Sequence, residues 1–301
     1  MQNWMEQIRQ ILSPEQIKEQ EPMAKHTTFR VGGPADVLVT PDEKNLMQVI
    51  AVARSQKIPV TVIGNGSNLL VGDGGIRGLV VEIGQGMDFI EIQGKSMKVG
   101  AGTILSKAAN AAAKAGLSGL EFASGIPGSL GGAIVMNAGA YGSEMKNVLE
   151  KVTVLTRDGE IRTLDAEALD LGYRHSCIPK EQMIVLSAVL ELEQEDREKI
   201  HAYMAELREK RISKQPLEYP SAGSTFQRPQ GYFAGKLIED AGLRGYRVGD
   251  AQVSEKHCGF VINRGNATAA EICQLMKDVQ QKVREQFGVE LQPEVRMIGE
   301  F

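Results

Sequence analysis

Residues 124–142 read Ser124-Gly125-Ile126-Pro127-Gly128-Ser129-Leu130-Gly131-Gly132-Ala133-Ile134-Val135-Met136-Asn137-Ala138-Gly139-Ala140-Tyr141-Gly142. Six glycines in nineteen residues, interleaved with Ile, Leu, Val and Met, are too apolar for a solvated linker. Something must lie against this stretch. Without a Cβ, glycine lets backbone N–H groups come close to a bulky ligand, and runs of such groups suit a phosphate or a flat cofactor. Tight turns in a packed core are the alternative reading, and a second glycine cluster weighs against it.

That cluster is Gly64-Asn65-Gly66-Ser67-Asn68-Leu69-Leu70-Val71. It follows Ile58-Pro59-Val60-Thr61-Val62-Ile63, a β-branched run expected to be a buried strand. Before it, Thr40 is the expected N-cap of a helix, with Pro41 at its first position and Glu43 closing a capping box. Leu46, Val49, Ile50 and Ala53 then repeat at helical spacing. Helix, strand and glycine loop in that order present main-chain donors at a strand's end. Asn65, Ser67 and Asn68 add side-chain donors. The loop is no Walker A sequence, because no Gly-Lys-Ser/Thr closes it, and no helix with a ribose-binding acid follows as a Rossmann fingerprint requires.

Working outward toward the N-terminus, residues 1–25 read as an amphipathic lead-in helix with Ile8, Ile11 and Leu12 on one side and an acidic break at Glu19-Gln20-Glu21-Pro22. Thr27-Thr28-Phe29-Arg30-Val31-Gly32-Gly33-Pro34 has strand and turn chemistry, with Arg30 either a surface charge or aimed at a buried anion. Between the two glycine clusters, Leu79 to Val99 alternates in short runs expected to be antiparallel strands, and Thr103 opens an alanine-rich helix stopped by Gly116. Arg157-Asp158-Gly159-Glu160 marks a hairpin, and Ile184–Leu190 a buried strand. The composition changes at Glu193–Arg211, a charged helix taken as the domain boundary. Beyond it come a short helix at Phe233–Asp240, a strand at Cys258–Asn263, a long helix capped by Thr268 and Glu271 and ended near Gly288, and a last strand at Pro293–Ile298.

With 301 residues the chain exceeds one comfortable core. A net charge of −4 with scattered Lys and Arg excludes a nucleic-acid footprint. Cys177, Cys258 and Cys273 are odd in number and have no CxxC spacing, which argues against a zinc site or a disulfide framework and fits a reducing compartment. No secretory leader or membrane-length apolar run is present, so a cytoplasmic protein is expected.

Single residues are less telling. Gly223-Ser224-Thr225-Phe226 is not a nucleophile elbow, so Ser224 is a turn serine or a proton donor and a hydrolase is disfavoured. His26, His175, His201 and His257 show no metal-binding spacing, so no metal is expected. Arg174 lies between Tyr173 and His175 on a segment too short for a surface helix. Glu294 taken by itself reads as a surface acid.

Taken together, the ordered motifs resemble the UDP-N-acetylenolpyruvoylglucosamine reductase family. They run from Thr28–Gly33 through Gly64–Leu70, Gly125–Gly132 and Asn137–Gly142 to Tyr173-Arg174, Ala222–Phe226 and Pro293–Arg296. The short link after Tyr173 and Gly-Ser-Thr-Phe in place of Gly-Ser-Phe-Phe resemble its shorter subtype, which lacks an inserted substrate-covering loop and that loop's tyrosine.

The resemblance implies an α+β fold. After the lead-in at 1–29, a two-lobed FAD-binding domain of the vanillyl-alcohol-oxidase type would span 30–194, and a smaller α+β substrate-binding domain 195–301. FAD would lie on Gly64, Asn65, Gly66, Ser67, Asn68 and Leu69, and on Gly125, Ile126, Gly128, Ser129, Gly131 and Ala133. NADPH would reduce it, and flavin N5 would pass hydride to the enolpyruvyl sugar nucleotide, a small-molecule partner of peptidoglycan precursor synthesis. Ser224 would protonate the α-carbon. Arg174 would polarise the substrate carboxylate together with Glu294, which must be protonated or share a proton because facing carboxylates repel. Tyr173, Lys214, Arg228 and His257 match substrate contacts of the family. No His or Cys lies in the two glycine motifs, so FAD would be non-covalent. The alternatives are another FAD-dependent oxidoreductase of this fold, or a non-catalytic sugar-nucleotide-binding protein.

Overall fold

Buried apolar side chains sort into two clusters, and each cluster is the core of one compact unit. The computed structural model describes residues 2–301, so Met1, which opens the expected lead-in helix, lies outside the described residues. The first unit comprises residues 1–18, 37–65 and 78–211, and the second 19–36, 66–77 and 212–301. The chain therefore passes between units five times, once inside the Gly64–Leu70 loop.

In the first unit, helix α1 (Gln2–Ile11) buries Trp4 and Ile8 against α2 (Glu43–Ser55), which buries Leu46, Val49, Ile50 and Ala53. The lead-in helix is shorter than expected. Pro14 holds Ser13 extended, because the residue before a proline is pushed out of the helical region, and the acidic break becomes the strand Ile17–Pro22. The cap of α2 is Asp42, whose Oδ1 accepts the Asn45 N–H at 2.8 Å, and not Thr40, whose main chain instead pairs with Gln16. A carboxylate at this position satisfies a free donor and meets the positive helix end.

Val60–Ile63 pairs in parallel with Leu79–Glu82, so the run after Leu79 does not begin as an antiparallel strand. Nor is Val60–Ile63 fully buried: Val60 is 36% and Val62 40% exposed, while Ile63 faces inward. A five-stranded antiparallel sheet follows, in the order Ile161–Asp165, Leu149–Leu155, Ile184–Glu191, Ser96–Gly100, Ile90–Gln93. Its first two strands form the hairpin expected around Asp158-Gly159. Helix α3 (Leu105–Ala115) starts two residues after Thr103, whose hydroxyl instead donates to Asp88 at 2.9 Å, and Gly116 ends it in a left-handed cap. Inside the glycine stretch lies α4 (Leu130–Val135), a short helix set on Ala101: the Gly131 N–H donates to the Ala101 carbonyl at 2.9 Å, and a Cβ on Gly131 would stand 3.1 Å from that of Ala101. The charged helix α5 (Arg197–Lys214) buries Ile200 and Leu207.

In the second unit, α6 (Ala234–Asp240) and α7 (Ala269–Phe287) pack with the three-stranded antiparallel sheet Arg247–Val248, Ala251–Val253, Val261–Asn263. Thr268 and Glu271 form the expected capping box on α7. Asp73 reinforces it by accepting the Ala269 and Ala270 N–H groups at 2.8 and 2.9 Å. Arg296–Ile298 adds a parallel strand to Leu69–Val71, which ties the loop after Gly66 to the end of the chain.

Candidate functional site

The two glycine segments meet in the first unit. Asn65 Nδ2 donates to the Pro127 carbonyl at 2.6 Å, and a Cβ on Gly64 would stand 2.4 Å from Ser129 Oγ. Ser129 is buried, and its hydroxyl is the one buried side-chain oxygen or nitrogen among the described residues without a hydrogen-bond partner. A buried hydroxyl left unsatisfied costs about 1–3 kcal/mol. The hydroxyl lies against the Gly64 backbone, so the cradle has a polar atom ready for a ligand. That chemistry fits the expected dinucleotide. Gly125, Ile126 and Gly64 are half-buried around it and Asn65 is exposed. Gly128 is buried, its carbonyl accepting the Leu105 N–H at 2.9 Å; Gly131 and Ala133 pack inward.

The same unit holds Arg174. Its left-handed backbone, φ 52°, is uncommon for a non-glycine residue and is held by its surroundings. Three hydrogen bonds sew its loop to the glycine stretch: Asn137 Nδ2 to the Gly172 carbonyl at 3.0 Å, Ser176 Oγ to the Val135 carbonyl at 2.7 Å, and Arg174 Nη2 to the Gly139 carbonyl at 3.3 Å. Asn137 is fully buried and its Oδ1 accepts the Lys146 N–H at 2.9 Å, so both ends of its amide are used. The Arg174 guanidinium lies 5.0 Å from the centre of the exposed Tyr173 ring. Asn137 opens one of the motifs read in the sequence, but its bracing role was not foreseen.

In the second unit, Thr225, which the sequence offered only as the threonine of a subtype-marking Gly-Ser-Thr-Phe, is the organising residue. It is fully buried. Its N–H donates to the Gly259 carbonyl at 2.9 Å, its hydroxyl accepts the Val261 N–H at 2.9 Å, and its carbonyl accepts the Glu294 N–H at 2.9 Å. Side chains alternate along an extended segment, so with Thr225 inward its neighbour Ser224 points out, bridged to Phe260. Thus Ser224 and Glu294 hang from one buried threonine. Asn68 joins them: its Nδ2 donates to the Glu294 carbonyl at 3.1 Å and its carbonyl accepts the Arg296 N–H at 2.9 Å. Gly66 supports the loop at φ +60°, with a Cβ position 1.9 Å from the His26 carbonyl oxygen, where only glycine fits.

His257 is half-buried beside Phe260, with ring centroids 5.1 Å apart. Its Nδ1 accepts the Gly259 N–H at 3.0 Å, which leaves Nε2 as the protonated donor of the neutral ring. Burial pushes its pKa below the ordinary histidine value, and the Lys214 charge adds to the effect. Lys214 and Arg228 are exposed, Arg228 over the Phe233 ring at 4.0 Å. Arg30 is exposed as well, in line with the surface alternative. Among the described residues no three His, Cys, Asp or Glu side chains gather as metal ligands, and no helix is long and apolar enough to cross a membrane.

The family described as the C-terminal domain of UDP-N-acetylenolpyruvoylglucosamine reductase matches residues 215–298, and an FAD-binding domain family matches 34–165. The UDP-N-acetylenolpyruvoylglucosamine reductase of Agathobacter rectalis is 58% identical, covering 100% of this chain and 99% of its own. The chain belongs to the UDP-N-acetylenolpyruvoylglucosamine reductases. A second member of the family, from Caldanaerobacter subterraneus, is 51% identical over 98% of both chains. The crystal structure of the family's enzyme from Thermus caldophilus superposes with a TM-score of 0.82 at 38% identity, covering 93% of this chain and 99% of that one. The fold is accordingly the expected α+β arrangement, with an FAD-binding domain and the smaller C-terminal domain of the reductases, and the protein is an FAD-dependent reductase.

Proposed function

We propose that the chain reduces the enolpyruvyl group of UDP-N-acetylglucosamine enolpyruvate to UDP-N-acetylmuramate, using NADPH, as a step of peptidoglycan precursor synthesis in the cytoplasm. The observation that supports this reading is that buried Thr225, the residue after Ser224, accepts the Glu294 N–H on its carbonyl, so the main chains of Ser224 and Glu294 are neighbours on the second unit.

Gly64–Leu69 and Gly125–Ala133 would hold FAD non-covalently, and the bound cofactor would supply two-electron, hydride-transfer chemistry with NADPH as the reductant. Ser129 Oγ finds the partner it lacks within the protein, and Asn65 holds the two segments together. Ser224 keeps its hydroxyl proton for the α-carbon. A serine hydroxyl is a weak acid, so the transfer needs a carbanion-like acceptor and a site from which water is excluded. Arg174 binds the substrate carboxylate and stabilises charge that develops beside it. A carboxylate facing a carboxylate repels it, so Glu294 acts through a proton shared with the substrate. His257, through its Nε2–H, serves with Lys214, Arg228 and Tyr173 as contacts for the diphosphate, uridine or sugar.

The test separates the half-reactions of the Ser224→Ala holoenzyme. Reduction of bound flavin by NADPH should stay within about twofold of wild type, whereas reoxidation by the enolpyruvyl substrate should slow by roughly 10²–10⁴-fold. Equal loss in both halves would contradict the proton-donor role, and a wild-type protein that releases no flavin on denaturation would overturn the cofactor assignment.

A further inference from the structure

Arg211, in the last turn of α5, has no part in the roles above. Its guanidinium lies on the glycine stretch: a Cβ built on Gly125 would stand 3.0 Å from Arg211 Nη1 and 3.1 Å from its Cδ. The side chain is half-buried, and burial pushes its pKa down; the Tyr141 phenol is the one titratable group whose field acts on it in the opposite direction. Among the described residues no carboxylate pairs with it. Its neighbours on the same helix behave differently: Lys199 pairs with Glu195 at 3.2 Å and Lys210 with Glu206 at 2.5 Å. Those are exposed pairs of the ordinary kind. Arg211 instead turns its charge onto a glycine wall, although burying a cation without a counter-charge is costly. Such an arrangement is explicable if the negative charge comes from a ligand.

Which ligand follows from what else shares the wall. Glu121–Gly125 packs beside Gly139–Ala140, and the Gly139 carbonyl accepts the Arg174 guanidinium. Arg211 therefore belongs to the same strip as the group proposed to bind the reacting carboxylate, and Asn65 meets Pro127 further along the segment. On the reading of the site as an FAD cradle, we infer that Arg211 is a positioning cation for the flavin ring, balancing the negative charge that the ring gains when two electrons and one proton enter it. Neutral oxidised flavin gains little from such a cation and the anionic reduced form gains more, so the charge raises the reduction potential.

The experiment measures the midpoint potential of bound flavin in dye-equilibrated titrations of holoenzyme. In Arg211→Gln the reduced-to-oxidised ratio at a fixed potential should fall about tenfold, equivalent to a potential about 30 mV lower for a two-electron couple. Arg211→Lys, which keeps the charge, should stay within about threefold of wild type, and Gly125→Ala, which displaces the guanidinium, should fall in the same direction as Arg211→Gln. The KM for the sugar nucleotide and the affinity for oxidised FAD should stay within about twofold in the lysine and glutamine variants. An unchanged potential in a flavin-loaded Arg211→Gln protein overturns the inference. So does a rise in KM without a shift in potential, which would assign the anion to substrate, or an equal loss of oxidised and reduced FAD affinity, which would assign it to the cofactor diphosphate. A wild-type protein without flavin would instead refute the cradle itself. If Arg211→Gln does not fold, the lysine and Gly125→Ala variants decide alone.

Discussion

In the unit that carries residues 124–142, the candidate site is a wall of backbone around a hydroxyl that the protein leaves unsatisfied; in the unit that ends at Phe301, the buried polar side chains Thr225, Ser254 and Asn263 are all bonded. The first site is thus completed by something added to it, and the second is a finished frame that presents Ser224 outward. Gly64 and Gly66 make the contrast within one loop. Gly64 leaves room beside Ser129 Oγ, the movable end of a side chain, whereas Gly66 abuts the fixed His26 carbonyl. On the proposed function the first glycine would serve a ligand, whereas the second serves the fold.

Substitution of these glycines is the sharpest way to break that comparison. Gly66→Ala should destabilise the protein by roughly 3 kcal/mol or more, combining left-handed strain with a main-chain collision, as read by the midpoint of chemical denaturation. Asn137→Ala comes next, at about 2–3 kcal/mol, since it leaves the Gly172 carbonyl and the Lys146 N–H without their partner. It should also lower kcat by more than it changes FAD content, because the loop of Arg174 loses its brace. Gly64→Ala should shift stability by less than about 1 kcal/mol, yet weaken FAD retention about tenfold, which the flavin absorbance of the purified protein reports. If Gly64→Ala unfolded the protein and Gly66→Ala merely shed flavin, the contrast would be reversed.

The smallest effect concerns His257. Its folded pKa lies below the unfolded value, so between the two the unfolded chain binds more protons, and stability is fully present above about pH 6.5 and declines as pH falls toward the folded value. Thermal melts of wild type should show that acid-side decline, and His257→Gln should flatten its part of it.

Features set by neighbours in sequence were legible from the chain alone. The core faces of α2 and α7, the Thr268–Glu271 box, the Gly116 stop and the Asp158-Gly159 hairpin all depend on residues within one or two turns of one another. The meeting of Gly64–Asn65 with Pro127–Ser129 was legible too, since two apolar glycine runs need a common occupant. What was not legible depended on distant partners. Val60 and Val62 look like core residues but project outward from their strand, and Thr40 loses the cap to an aspartate two residues on. Asn137, Thr225 and Arg211 are unremarkable letters whose importance comes from Gly172, Glu294 and Gly125, each far away along the chain.

The threading of the chain has a practical corollary for protein engineering. Residues 19–36 and 66–77 belong with the unit that starts again at Ile212, so a gene cut after Arg211 strands two short pieces of one unit inside the other's fragment. Neither product would be a module. A chimera that exchanges the Ser224-bearing unit between relatives must therefore swap three separate coding segments at once, and a C-terminal cassette taken on its own should express as an incomplete core.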